Sequence, residues 1–138
     1  MAVSASAAFA VAPAHAATAT FYRSPGCGCC HVWGEKMKAV GFDLEMIDTE
    51  DLAAEQAKLG VPEAIQGCHA GIIDGYAISG HVPPEDIKRL LTERPEAKGL
   101  TVAGMPAGSP GMEGAGSEPY ASLLFQADGS YVEYAKHG

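Results

Sequence analysis

The residues best suited to chemistry are three cysteines packed into four positions, in the run Cys27-Gly28-Cys29-Cys30-His31. Cys27 and Cys30 form a C-x-x-C pair, the spacing of a dithiol that can cycle to a disulfide, so they are the candidate catalytic pair. Cys27 and Cys29 form an overlapping C-x-C pair. Cys29 is surplus to simple thiol exchange and adds a third thiolate, a soft ligand suited to Cu(I) or zinc. The chain has 4 cysteines in all. In a small exported protein that number ordinarily means two disulfides. Neighbours this close cannot each cross-link a different part of a scaffold, so the crowding favours thiolate chemistry over structural bridging.

Other soft or borderline donors lie elsewhere in the sequence. Cys68-His69 precedes a hairpin signal, and the reading expects Cys68 to face the Cys27 loop with His69 as a further candidate ligand. Met105 and Met112 stand in a turn-rich segment, Gly104-Met105-Pro106-Ala107-Gly108-Ser109-Pro110-Gly111-Met112, rather than on an apolar face. Thioether sulfur selects Cu(I), so both methionines join the candidate metal ligands. Met37 and Met46 read as core residues instead. His81 reads as a packing or capping imidazole, His31 equally as a solvent-exposed modulator of the thiols or as a ligand, and His137 as inert.

These residues need elements to position them. Residues 18–23 read as a strand and residues 31–40 as a helix with Val32, Trp33, Met37 and Val40 at apolar positions and Gly41 as its stop. Residues 42–47 alternate as a second strand. Residues 49–59 read as a second helix capped by Thr49 or Asp48. This strand–helix–strand order predicts a βαβ unit whose two strands are parallel neighbours. The cysteine loop then falls at a helix N-terminus, where free N–H groups and the dipole favour thiolate. Asp74-Gly75 and Asp128-Gly129 mark two hairpins, over residues 70–79 and 121–135. Between them the reading places a helix from Pro83 or Pro84 to about residue 91, a short strand at 100–103, and a loop over 105–119. The fold class is α/β (α+β): a central mixed sheet with flanking helices and a C-terminal hairpin.

A length of 138 residues fits one domain. A formal charge of −8, from 9 basic and 17 acidic side chains, sets aside nucleic acid and anionic membrane as partners and suits a protein that meets cations. No apolar run reaches the ~18 residues of a membrane span. Residues 2–17 are uncharged and alanine-rich and end in the cleavage-like Ala14-His15-Ala16, so residues 1–17 read as a clipped export signal without its basic front. Residues 18–138 are then the folded domain.

Four motifs in order, Cys27-x-Cys29-Cys30, Cys68-His69, Gly80-His81-Val82-Pro83 and Gly104-Met105-Pro106-x-Gly108-Ser109-Pro110-Gly111-Met112, resemble the CopG-type copper-resistance family, long described only as a metal-binding domain of unknown function. The resemblance spans about residues 18–135. It implies a thioredoxin-like fold, a periplasmic location, and copper held as a thiolate cluster at the Cys-x-Cys-Cys site. It further implies a role in interconverting Cu(I) and Cu(II) beside copper-efflux or copper-oxidase proteins, with zinc the lesser metal. Two rivals stand beside a copper oxidoreductase: a thiol–disulfide oxidoreductase working through Cys27 and Cys30, and a passive copper chaperone or buffer.

Overall fold

The computed structural model describes residues 18–138. The export-signal reading falls on residues 1–17 and lies outside the described residues. The chain runs β1 (Ala19–Arg23), α1 (Gly28–Ala39), β2 (Leu44–Asp48), α2 (Leu52–Lys58), β3 (His69–Ile73), β4 (Tyr76–Ser79), α3 (Pro84–Glu93), β5 (Gly99–Thr101), β6 (Tyr120–Phe125) and β7 (Tyr131–His137), with single 3₁₀ turns at Glu63–Ile65 and Glu113–Ala115.

All strands join one mixed sheet in the order β2-β1-β3-β4-β5-β6-β7. β1 and β2 are parallel, with Phe21 opposite Met46, as the βαβ pattern requires. β3 and β4 form the Asp74-Gly75 hairpin, and both turn residues take positive φ, as a two-residue hairpin demands. β4 and β5 are parallel across α3, and β6 and β7 form the C-terminal hairpin. The first four strands with the three helices are the thioredoxin-like part, and β5 to β7 extend its sheet.

The two faces of the sheet carry separate cores. One gathers Phe21, Trp33, Met37, Leu44, Ile78, Ile87, Leu90 and Leu100 beneath α1 and α3. The other gathers Val61, Ile65, Ala77 and Phe125 beside Leu59. Ala77 and Ile78 are neighbours on β4 yet serve opposite faces, the period-two alternation of a strand. Trp33 is fully buried and its indole N–H donates to the Val82 carbonyl at 2.9 Å. That bond ties α1 to the segment entering α3. Burial of such a side chain is worth on the order of 3–5 kcal/mol against alanine.

Three local expectations change. α1 begins at Gly28, three residues earlier than the apolar pattern suggested, because Gly, Cys and Cys carry no start signal of their own. Val32 and Val40, expected to face inward, are exposed, and α1 packs through Trp33, Gly34 and Met37. α2 is capped by Asp51, whose carboxylate accepts from Ala54 N–H at 3.0 Å, rather than by Thr49 or Asp48.

Candidate metal centre

The earlier start of α1 matters most for the site. Cys27 becomes the N-cap residue, and Cys29 and Cys30 stand in the first turn. One turn of helix therefore projects three sulfurs toward the end of β3. Cys30 is fully buried, while Cys27 and Cys29 are partly exposed.

Cys27 and Cys30 are joined as a disulfide, with Cα atoms 5.4 Å apart, inside the range a disulfide spans without moving backbone. The crowding of the three cysteines in sequence favours free thiolates, and the bridge departs from that expectation. A C-x-x-C pair placed on one helical turn explains the bridge. Cys29 and Cys68 are free thiols.

Cys68 stands immediately before β3, where strand pairing with β1 carries it to the N-terminus of α1. Its sulfur lies 3.4 Å from that of Cys30, so Cys68 faces the cysteine loop as expected. Cys29 Sγ lies 3.5 Å from Cys27 Sγ and donates across 3.5 Å to the Met105 thioether. The four cysteine sulfurs all fall within 4.8 Å of one another. A second, overlapping set within the same span joins Cys30 and Cys68 to His69 and His81.

His81 was read from sequence as a packing residue, yet its Nε2 sits 2.8 Å from Cys68 Sγ. Gly80 brings it there. Gly80 has φ +75°, a side chain at that position would run into the Val102 carbonyl, and its N–H donates to the His69 carbonyl at 2.8 Å. The chain therefore folds back under Cys68 within a few residues of β4. The Gly80-His81-Val82-Pro83 motif was the signal; the 13-residue separation from Cys68 hid the contact.

Two supports were also not singled out in the sequence. Ser109, buried in the methionine loop, lies 3.4 Å from His81 Nδ1 and donates its hydroxyl to the Pro106 carbonyl at 2.6 Å. Gln56, on α2, donates to the Gly67 carbonyl at 2.8 Å and accepts from the Ser79 hydroxyl at 2.6 Å. Ser79 in turn accepts from Gly67 N–H at 2.9 Å. This triangle fixes the backbone one residue before Cys68.

The methionine loop packs against the mouth of the site. At Gly111, φ +99°, an added Cβ would stand 2.7 Å from the Cys29 carbonyl oxygen, so glycine permits the close approach. Glu113 accepts from Gly111 N–H at 2.8 Å and pairs with Lys36 of α1 at 3.4 Å. The loop places its two methionines differently. Met105 reaches Cys29 while remaining 51% exposed. Met112 contributes its backbone, its N–H donating to the Ser109 carbonyl at 2.7 Å; among the described residues its sulfur makes no comparable contact with a cysteine.

Burial shapes the electrostatics. It pushes the Cys68 thiol pKa well up, with Cys29 nearby adding to the effect. It lowers His81 to about 4, against a smaller opposing pull from Glu113. His69 is also held well below the ordinary imidazole range, first by burial and then by His81. Burial thus favours a neutral thiol donating to a neutral imidazole. The assignment that fits places the remaining His81 proton on Nδ1, toward Ser109.

His69 is fully buried, with its ring 4.2 Å from that of Trp33 and 5.4 Å from that of His81. Its Nδ1 lies 3.4 Å from Cys68 Sγ. Its Nε2 is a buried side-chain nitrogen with no hydrogen-bond partner. His31 is exposed on α1, and His137 lies on β7, engaged with Asp86 rather than with the cluster.

Fold and site together define a thioredoxin-like protein with a soft sulfur-and-imidazole centre able to hold a metal ion. Comparison with known proteins narrows the class. A family model described as "Protein of unknown function, DUF411" matches residues 65–112, which contain Cys68, His69, His81 and the methionine loop. Two solved structures, "Copper resistance protein copG- Form 1" and "Copper resistance protein copG- Form 2", are similar to this chain at 36% and 37% identity. Each aligns with a TM-score of 0.81, over 88% of this chain and 98% of the other. No curated protein sequence matches. The chain belongs to the CopG family of copper resistance proteins, and its function is copper-related.

Proposed function

We propose that this protein is a periplasmic copper-binding protein of copper resistance that holds Cu(I) through its cysteine cluster and interconverts Cu(I) and Cu(II). The observation that carries the reading is the convergence of four cysteine sulfurs within 4.8 Å, with Met105 at the rim and His69 and His81 at the base. Bridging thiolates let one sulfur serve two soft ions, so this donor set suits several Cu(I) ions better than one hard ion. Cys27, Cys29, Cys30 and Cys68 are the principal ligands in this reading, His81 and His69 the nitrogen donors, and Met105 an outer ligand. Met112 shapes the loop.

The same reading takes residues 18–138 as one metal-binding domain and residues 1–17 as an export signal. Likeness to copper resistance proteins supports work outside the cytoplasm, near copper-efflux or copper-oxidase partners. Anaerobic titration of reduced protein with Cu(I) against a competing chelator tests it. More than one tightly held ion per chain is expected, and electron paramagnetic resonance after oxidation reports Cu(II). Failure to hold any Cu(I) would end the copper reading.

A second reading, a thiol–disulfide oxidoreductase, is favoured by one observation: the Cys27–Cys30 disulfide at the N-terminus of α1. It predicts copper-independent reduction of a protein disulfide such as that of insulin. Cys29, Met105 and His81 have no part in such an exchange.

A further inference from the structure

The sheet has two open edges, and the sequence treats them differently. β2, at one edge, lies in a run where Asp43, Glu45, Asp48, Glu50 and Asp51 are all acidic. A second copy laid against it sets like charges face to face, an ordinary defence of an exposed strand. β7, at the other edge, reads Tyr131-Val132-Glu133-Tyr134-Ala135-Lys136-His137, with one acid, one base and no proline. It turns apolar side chains outward: Val132 is 61% exposed and Tyr131 is 51% exposed. α3 holds this strand in place. The Tyr134 hydroxyl donates to Glu93 at 2.6 Å, Arg89 donates to the Tyr134 carbonyl at 2.8 Å, and His137 pairs with Asp86 at 2.6 Å. A strand already ordered loses little freedom when it pairs.

We propose that β7 is a pairing edge for a second copy of this chain, which joins it antiparallel about a two-fold axis between Tyr134 and Ala135. The two sheets then run on as one. Three strands separate β7 from β3, so each copy keeps its own cysteine cluster, and the pairing needs no metal.

Two features of β7 are self-complementary under that symmetry. The first is charge. Ser122 pairs with Ala135 and Leu123 with Glu133, so Tyr134 is the extra residue of a bulge. The bulge shifts the alternation of side chains and brings Glu133 and Lys136 to one face, where they lie 3.6 Å apart. A two-fold axis between Tyr134 and Ala135 sets Glu133 of each copy opposite Lys136 of the other, making two equivalent charge pairs. A bulge and a lysine commonly blunt an edge; here the bulge puts the lysine where a second copy supplies its counter-charge. The second feature is shape. Tyr131 pairs with Phe125 and Lys136 with Ala121, so Tyr131, Glu133 and Lys136 share a face. Tyr131 projects at one end of the strand. At the other end, about 20 Å away, lies an open cavity of about 560 Å³ lined by Pro119, Ala121, Lys136 and Gly138 among others. Antiparallel pairing carries Tyr131 of each copy to the cavity of the other. One exposed ring and one socket per chain are both used, twice, by a single axis.

The test is sedimentation velocity of the full chain over a wide range of concentration, without metal and with reductant present so that intermolecular disulfides cannot mimic association. A reversible monomer–dimer equilibrium is expected. Hydrogen exchange followed by mass spectrometry, at both ends of that range, should show protection of residues 131–137 that rises with concentration, and none gained at residues 44–48. Glu133→Lys should weaken dimerisation on the order of 10-fold by placing two lysines opposite each other. The double variant Glu133→Lys/Lys136→Glu, which restores opposite charges across the axis, should recover it. Tyr131→Ala should weaken it on the order of 10-fold by emptying the socket. All three substitutions lie on the surface and should leave the melt of the dilute protein unchanged. A monomer at every concentration would overturn the proposal. So would a dimer whose protection falls outside β7, or one that Glu133→Lys and Tyr131→Ala both leave intact. A Glu133→Lys defect that the double variant does not repair would overturn the two-fold register. None of these results bears on copper binding, which the titration of the preceding proposal decides separately.

Discussion

Two buried polar networks flank the start of α3, and they are built on opposite principles. On one side His81 Nε2 meets Cys68 at 2.8 Å, with Ser109 behind the ring. On the other side Asp86, in the first turn of α3, accepts from the Ser122 hydroxyl and pairs with His137 Nε2, both at 2.6 Å. The second network uses hard donors and short bonds, and Tyr120 stacks on the His137 ring with centroids 5.0 Å apart. It pins β6 and β7 to α3. The first uses weak sulfur bonds, and beside it His69 Nε2 goes without a partner, the one such buried side-chain atom among the described residues. A satisfied hard network reads as structure. A soft, under-satisfied one reads as a site held ready for something else.

The contrast breaks first on stability. Asp86→Ala strands Ser122 and His137, and should cost about 2–4 kcal/mol. A thermal melt should fall on the order of 10 °C, with Cu(I) stoichiometry unchanged at a temperature where the fold persists. Lost copper with an unshifted melt would put the hard network in the site.

The next effect is one of pH on the chain without metal. His81 titrates near 4 in the fold against an ordinary imidazole value of 6.5. Between those values the unfolded chain takes a proton that the folded chain refuses. The stability held above pH 6.5 should therefore fall as pH drops toward 4, by up to about 3 kcal/mol. Denaturant unfolding of wild type and His81→Gln at pH 7 and pH 4.5 checks this. Equal pH slopes in the two proteins would show that His81 is not kept neutral by burial.

Smaller still is the orienting effect of Ser109. Ser109→Ala removes the partner behind His81 and should weaken Cu(I) retention roughly 10-fold, the low end for a group that orients a ligand, with under about 1 kcal/mol lost in stability. Chelator competition measures it. The smallest difference separates the two methionines. Met105→Leu should speed Cu(I) loss to a chelator a few-fold, and Met112→Leu, which preserves volume, should not. The reverse order would restore Met112 as a ligand and make Met105 an exposed bystander.

Legibility in the sequence followed the range of the signal. The βαβ unit and both hairpins rest on local periodicity and Asp-Gly turns, and they formed where expected. The start of α1 did not, because Gly28, Cys29 and Cys30 carry neither a cap nor an apolar stripe. That shift of three residues is what puts Cys29 and Cys30 on a helix. Cys68 could be placed beside the cluster by reasoning from topology alone. His81 could not, since its contact depends on Gly80 folding back against Val102, a tertiary closeness with no period in the sequence. The Asp86–His137 pair spans 51 residues and was equally silent, so His137 read as inert.

The central claim is that the sulfur cluster holds copper as Cu(I). X-ray absorption at the copper edge, on reduced protein loaded anaerobically to saturation, tests it most directly. The account predicts a Cu(I) edge and a first shell dominated by sulfur at roughly 2.3 Å, the range of metal–thiolate bonds, lost when Cys29 and Cys68 are both replaced by serine. A Cu(II) edge with a shell of nitrogen and oxygen, unchanged in that double variant, would contradict it.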